Sequence, residues 1–106
     1  MSLDPTPHEM RRAPREEVEY PSRLTGAAFT ALDTLILNIS PHGCLAHCAE
    51  DVAIGERVTL ELPVVGATRG IVIWSLGAHI GIEFDMILPL ETYFELVAAM
   101  ARRESP

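Results

Sequence analysis

The sequence has no lysine, only two cysteines and few aromatic residues, and its balance of charge is acidic. All eight basic residues are arginines, and 15 acidic residues bring the formal net charge to −7. An acidic chain lacks the basic footprint of general nucleic-acid binding, so we do not expect a DNA or RNA polymer as partner. An arginine guanidinium can nevertheless grip guanine or phosphate through two parallel hydrogen bonds, which a lysine ammonium cannot do.

The sequence also lacks long hydrophobic runs. None approaches the roughly 20 apolar residues that a membrane span requires, and residues 1–14 contain no apolar stretch that could serve as a secretory signal. We therefore expect a cytoplasmic protein with no membrane insertion. Its 106 residues, of which 48% are hydrophobic, suit one globular domain with a single core.

The two cysteines, Cys44 and Cys48, are not expected to form a disulfide, since a cytoplasmic domain of this size does not need one. On a single strand their Cα atoms would lie about 13 Å apart, too far to be bridged. With His42 and His47 they have the composition of a zinc cluster. Along a strand, however, His47 points away from the other three. We expect small buried cysteines and no metal.

Alternation of apolar and polar residues predicts six short strands. They cover residues 17–24, 29–39, 44–46, 57–62, 68–75 and 79–84. Short turns join them with no helical segment between, which favours an all-β fold: a six-stranded antiparallel, split β-barrel. In the second strand we expect Leu35, Leu37 and Ile39 to face the core.

The C-terminal part follows helical spacing instead. Leu90, Phe94, Val97 and Ala101 form an apolar stripe, with Tyr93 and Met100 filling in at i+3 positions, and we expect this stripe to pack on the barrel or on a partner. The chain is thus predicted to consist of a flexible arm over 1–15, a barrel over 16–88 and a helix over 89–103.

Two short motifs are candidates for function. The arm contains Arg11-x-x-x-Arg15, and the second strand ends in Asn38-x-Ser40-x-x-Gly43. Taken singly, each motif has a simpler explanation. The arginines can offset nearby glutamates in a solvated arm, and the second motif can be a turn capped by its own side chains. Their order along a chain of strands is more specific than either motif.

In that order the chain resembles the PilZ family, receptors for the bacterial second messenger cyclic di-GMP. The resemblance extends over about residues 10–86. It includes both motifs, the segment Gly55-Glu56-Arg57-Val58-Thr59-Leu60-Glu61-Leu62-Pro63, and Gly70-Ile71-Val72-Ile73-Trp74 running to Gly81-Ile82-Glu83-Phe84. It implies a six-stranded antiparallel barrel followed by a helix. It also implies a ligand site formed by Arg11, Arg12, Arg15, Asn38, Ser40 and Gly43.

The chemistry of these residue types suits the ligand. Arginine can pair with guanine O6 and N7, bind phosphate or stack on a purine, and an arm can close over the ligand. Asn38 and Ser40 share a strand face, which we expect to face solvent. Gly43 is expected to permit a positive φ or a close approach of ligand to the backbone.

We therefore expect a binding module rather than an enzyme, because no nucleophile–base–orienter set, metal hydrolase pattern or phosphate-cradling loop is present. Cyclic di-GMP is the expected ligand, and the arm is expected to change conformation on binding and to signal to a protein partner. The alternative is a nucleotide-independent protein–protein adaptor with the same fold. Trp74 is expected in the core or on a partner surface rather than as a stacking platform.

Overall fold

A computed structural model describes residues 16–104 of the chain, with side chains for residues 16–101. The elements are β1 Glu16–Gly26, β2 Phe29–Ser40, β3 Gly43–His47, β4 Arg57–Leu62, β5 Gly66–Leu76, β6 His79–Phe84 and α1 Leu90–Glu104. All neighbouring strands pair antiparallel, and the sheet closes in the order β1-β2-β3-β6-β5-β4. The predicted six-stranded antiparallel barrel with a C-terminal helix is confirmed. The predicted arm over 1–15 lies outside the described residues.

The closure of the barrel is uneven. β4 pairs with β5 along its whole length, from Arg57 to Leu62, whereas β1 pairs with β4 only where residues 24–26 meet residues 58–60. Beyond this short seam the two strands diverge, and the Ser22 hydroxyl donates a hydrogen bond to the Glu61 carbonyl. On this side the barrel is therefore closed only by a seam of three residues from each strand.

Regular alternation forms the core where the strand pairing is regular. The inward residues of β4 and β6 are all buried: Val58, Leu60, Leu62, Ile80, Ile82 and Phe84. Their outward neighbours are exposed or partly exposed, apart from the buried Gly81. These two strands have the predicted bounds and the predicted faces.

β2 departs from the predicted alternation because it contains a bulge. Ile36 and Ile39 are both fully buried although they are three residues apart, and the register against β3 shifts between Ile36 and Asn38. A bulge inserts one extra residue and changes the phase of the strand. The inward face predicted for Leu35, Leu37 and Ile39 is therefore wrong for the first two, which are only partly buried.

Of the predicted stripe, the helix buries Tyr93 and Met100 fully and packs Val97 partly against the core. Tyr93, Leu96 and Met100 are fully buried, and they follow the i, i+3, i+7 spacing of one helix face. The helix packs mainly on β1. Leu90 and Phe94 are 55% and 58% exposed, so these two do not pack on the barrel, and the alternative that they pack on a partner stays a prediction. The helix has two apolar stripes, and only one of them covers the barrel.

Cys44 and Cys48 are both buried free thiols, as predicted, whereas His42 and His47 are exposed. Burial raises the pKa of the Cys48 thiol, which keeps it protonated and a poor nucleophile. Over residues 16–104, no helix has the length and apolar character needed to cross a membrane.

Candidate functional site

Outward-facing residues of neighbouring strands form one continuous surface, here called the Asn38–Trp74 face. Residues that lie directly opposite each other in paired strands share a face of the sheet. One row of the face consists of Asn38, Leu45, Gly81 and Trp74, and the next consists of Ser40, Gly43, Glu83 and Ile71. The strands β2, β3, β6 and β5 thus bring the second predicted motif into register with the tryptophan.

Trp74 lies on the outside of the barrel, where it is 41% exposed. Its indole lies directly over Gly81, so closely that a Cβ at that position would overlap the indole ring. The absence of a side chain at Gly81 therefore makes room for Trp74 on the sheet surface. This position excludes a core role and leaves the indole available to a ligand or a partner. A tryptophan opposite a glycine in the β5–β6 hairpin is the sequence signal that could have indicated it.

The backbone of the motif turn is held by the C-terminal part of the chain. Three carbonyl groups, at residues 39, 41 and 42, accept hydrogen bonds from this part. The Tyr93 hydroxyl donates to Ile39 at 2.9 Å, and the amides of Leu88 and Phe84 donate to Pro41 at 2.9 Å and to His42 at 2.8 Å. The turn is consequently rigid.

Ser40 is buried, with 7% of its surface exposed, so the prediction that it faces solvent is wrong. Its hydroxyl oxygen accepts a hydrogen bond from the His42 amide at 3.2 Å. The interpretation of Ser40 as a residue that caps its own turn is confirmed. A direct contact between Ser40 and a ligand stays a prediction.

Gly43 is required for a different reason from the predicted one. Among the described glycines, a positive φ occurs at Gly55, Gly66 and Gly77 but not at Gly43, so the positive φ predicted there is wrong. A Cβ at Gly43 would overlap the carbonyl oxygen of Ile82 on β6. The glycine therefore permits the close approach of two strand backbones.

The start of β1 lies beside the motif. Glu16 is opposite Ile39, and Glu17 is opposite the partly buried Asn38. The chain that precedes Glu16 is thus joined to the barrel at the edge of the Asn38–Trp74 face. The predicted ligand residues Arg11, Arg12 and Arg15 belong to that preceding segment and lie outside the described residues.

The described part of the face is acidic. Glu17 and Glu83 are exposed on it or at its edge, and Arg57, which continues the second row opposite Ile71, forms an ion pair with Asp85 at 3.1 Å. Carboxylates repel phosphate at short range. An anionic ligand on this face would therefore need positive charge from another part of the chain.

A model of the PilZ domain family matches residues 9–100. The chain belongs to the PilZ family. The match includes both predicted motifs. A search of curated proteins finds no match.

Solved structures resemble this PilZ domain in fold. The PilZ domain of CeSA from a cellulose-synthesizing bacterium aligns with a TM-score of 0.58 at 12% identity, over 87% of this chain and 99% of that one. The Bacillus subtilis inhibitor of motility (MotI/DgrA) aligns with a TM-score of 0.59 at 17% identity. That alignment covers 88% of this chain and 51% of the other. This chain therefore spans about half of the motility inhibitor.

The Tyr93 hydroxyl connects α1 to the PilZ motif through its hydrogen bond to the Ile39 carbonyl. Replacement of Tyr93 tests how much this hydrogen bond stabilises the fold. Tyr93→Phe removes the hydroxyl and leaves the buried Ile39 carbonyl without that donor. We expect the free energy of unfolding to fall by about 1–3 kcal/mol at neutral pH, measured by urea denaturation. Tyr20→Phe is the matched control, because Tyr20 is only partly buried, and it should cost less.

The pH dependence gives a second readout for Tyr93. Burial raises the pKa of Tyr93 to about 12, and the Glu16 carboxylate adds to the shift. The folded state therefore favours the neutral phenol. This contribution is complete below the unfolded pKa of about 10 and is lost as the pH rises through about 12. The Phe variant should lack this loss between pH 10 and 12, and an unchanged alkaline profile would contradict the assignment.

Proposed function

We propose that this PilZ domain is a cyclic di-GMP receptor in which the arginine segment closes over the Asn38–Trp74 face and signals the bound state to a protein partner. The observation that carries the proposal is the pairing of Glu16 with Ile39. Arg15 directly precedes Glu16 in the sequence, and Glu16 is paired with the residue that lies between Asn38 and Ser40. Arg11 and Arg12 lie within four residues of Arg15 in the sequence.

The arginines and the face have complementary chemistry toward this ligand. Cyclic di-GMP carries two phosphates and two guanines, and guanidinium groups can bind the phosphates or guanine O6 and N7. The face supplies what the arginines lack, namely hydrogen-bond acceptors and an aromatic surface. Arg11, Arg12 and Arg15 would offset the negative charge of Glu17 and Glu83 when the phosphates of a ligand are held between the two.

Asn38 and Glu83 are the candidate acceptors for the guanine edge. Asn38 offers one side-chain acceptor where the aspartate common in the family would offer two. The exposed carboxylate of Glu83 lies two strands away on the same face. We infer that it can accept from guanine N1–H and N2–H₂. Ser40 and Gly43 then act mainly by fixing the turn that presents Asn38.

A second candidate function is a nucleotide-independent adaptor. It is favoured by large apolar side chains that remain exposed on the barrel and on α1, including Ile73, Leu76 and Phe94. The motility inhibitor that shares this fold is named for a regulatory action, which an adaptor could also exert. The two candidates differ in whether the nucleotide binds.

Titration calorimetry with cyclic di-GMP decides between them, with cyclic GMP as the matched control ligand. We expect saturable binding of cyclic di-GMP and no comparable binding of cyclic GMP. At a ligand concentration of about 100 times the dissociation constant, the gain in stability should be about 2.7 kcal/mol, seen as a rise in melting temperature. If millimolar cyclic di-GMP produces no binding heat and no thermal shift, the receptor function is excluded and the adaptor function is supported.

Trp74 tests the contribution of the face. An indole stacked on a purine contributes about 1 kcal/mol beyond the burial of its surface. Trp74→Ala should therefore weaken cyclic di-GMP binding by roughly five-fold or more, in variant protein that circular dichroism shows to be folded. Leu76→Ala removes another exposed apolar side chain from β5 and should leave the affinity unchanged. Equal losses in both variants would contradict stacking on Trp74.

A further inference from the structure

The outer side of α1 carries a second apolar stripe that no described residue covers. Leu90 and Phe94 are exposed large side chains on it, Val97 is partly buried and Ala101 is exposed. Their spacing of four, three and four residues is that of the seam between two packed helices. The buried stripe of Tyr93, Leu96 and Met100 already holds α1 on the barrel. The outer stripe is therefore not needed to hold α1 on the described barrel.

The two halves of this stripe differ in size. The N-terminal half presents Leu90 and Phe94, and the preceding linker adds Met86 and Ile87, which are 78% and 63% exposed. The C-terminal half instead presents the small, exposed Ala98 and Ala101. Large side chains pack best against small ones on a facing helix, because the backbones can then approach each other.

The two halves also differ in charge. Glu91 and Glu95 are exposed in the N-terminal half, and the last turn of the helix contains Arg102 and Arg103 in its sequence. A partner helix that matches this surface has small apolar and basic residues opposite Leu90 and Phe94. The same partner has large apolar and acidic residues opposite Ala101. The reversed sequence of α1 itself meets both requirements.

We propose that the outer stripe of α1 binds the same stripe of a second copy, with the two helices antiparallel about a two-fold axis. In such an isologous contact each residue meets the partner's counterpart from the other end of the stripe. The large, acidic half of each helix then faces the small, basic half of the other. A parallel pair would instead place acidic halves together and large side chains against large ones. The antiparallel arrangement also aligns the helix dipoles favourably.

The size of the contact sets the expected strength. A helix of 15 residues is about 22 Å long, so a pair of such helices buries less than the roughly 800 Å² per partner of a standard stable interface. We therefore expect a reversible dimer whose population rises with concentration. The proposal does not depend on nucleotide binding.

Sedimentation equilibrium on the full chain tests it, from about 5 μM to about 1 mM protein in about 0.15 M salt, where the Debye length is about 8 Å and repulsion between acidic chains is screened. We expect the mean mass to rise from 11.6 kDa toward twice that value. Phe94→Glu should keep the mass at that of one chain. Leu76→Glu, which alters a still more accessible apolar residue on the barrel, should dimerise as the parent does.

Charge reversal tests the antiparallel orientation. The double variants Glu91→Arg/Glu95→Arg and Arg102→Glu/Arg103→Glu should each raise the dimer dissociation constant at least ten-fold, and their combination should restore it. Circular dichroism checks that each variant is folded, and Leu90→Glu replaces Phe94→Glu if the latter is not. A monomer at every concentration, or a dimer insensitive to both stripe variants, would overturn the proposal. Failure of the combined reversal to restore the dimer would overturn its antiparallel form.

Discussion

Arg15→Ala is expected to weaken cyclic di-GMP binding by about 1.5–3 kcal/mol, the usual loss for a hydrogen bond to a charged group. This corresponds to roughly a 10- to 150-fold rise in the dissociation constant. The effect is large because the Asn38–Trp74 face is itself acidic, with Glu17 opposite Asn38. Removal of this guanidinium leaves the ligand phosphates with less positive charge to offset the carboxylates of Glu17 and Glu83. Titration calorimetry on the parent and the variant measures the change.

The control for Arg15 is Arg23→Ala, which removes the same charge from the chain. Arg23 lies toward the other end of β1 and forms an exposed ion pair with Asp33 at 3.2 Å. We expect its dissociation constant to stay within about two-fold of the parent's, since distant exposed charges are screened. Equal losses at Arg15 and Arg23 would indicate a general charge effect. Binding that is indifferent to both Arg15→Ala and Arg11→Ala would mean that the site lies elsewhere.

Gly43→Ala is expected to lower stability by about 1–3 kcal/mol or more, because overpacking here cannot be relieved by a rotamer change. The added Cβ would overlap the Ile82 carbonyl, which belongs to the backbone of β6. Either β3 or β6 must move, and the motif turn moves with them. Urea denaturation should show a lower transition midpoint, and cyclic di-GMP binding should weaken in the remaining folded protein.

Gly77→Asn is the control for Gly43. Gly77 has a positive φ of 62° and open space around it, and asparagine adopts that conformation more readily than most residues. We expect it to cost less than Gly43→Ala and to leave binding unchanged. A smaller loss at Gly43 than at Gly77 would contradict the close strand approach as the reason for the glycine.

Local patterns predicted the regular strands but not the bulge in β2. β4 pairs with β5 and β6 pairs with β3 without a register shift, so a period of two in the sequence becomes a period of two in burial. The phase change between Ile36 and Asn38 arises from the register against β3. That register depends on residues that are distant in the sequence, which no window along β2 contains.

The helix shows a related limit. Two apolar stripes occur on α1, and periodicity alone cannot decide which one faces the barrel. Burial favours the stripe of Tyr93, whose hydroxyl reaches the carbonyl of Ile39 from the opposite end of the chain. This hydrogen bond favours the helix face that contains Tyr93. It joins residues that are far apart in the sequence, so a local sequence pattern cannot predict it.

The candidate site was predictable to a similar extent. The order of the motifs indicated the family and the end of β2, and the strand pairing then brought Trp74 and Glu83 onto the same face. The sequence predicted that Ser40 faces solvent, because it shares a strand face with Asn38. Its burial follows from the tight turn, in which its hydroxyl accepts from the His42 amide.

The short pairing between β1 and β4 determines where the barrel is expected to open first. Regions with few shared backbone hydrogen bonds exchange their amide protons through small openings that need less free energy than global unfolding. The seam of residues 24–26 with 58–60 is the shortest strand junction of the barrel, so it should be the first to open. β1 also continues into the arginine segment at its other end. A ligand that holds this segment would therefore slow amide exchange at the seam, which lies at the far end of the same strand.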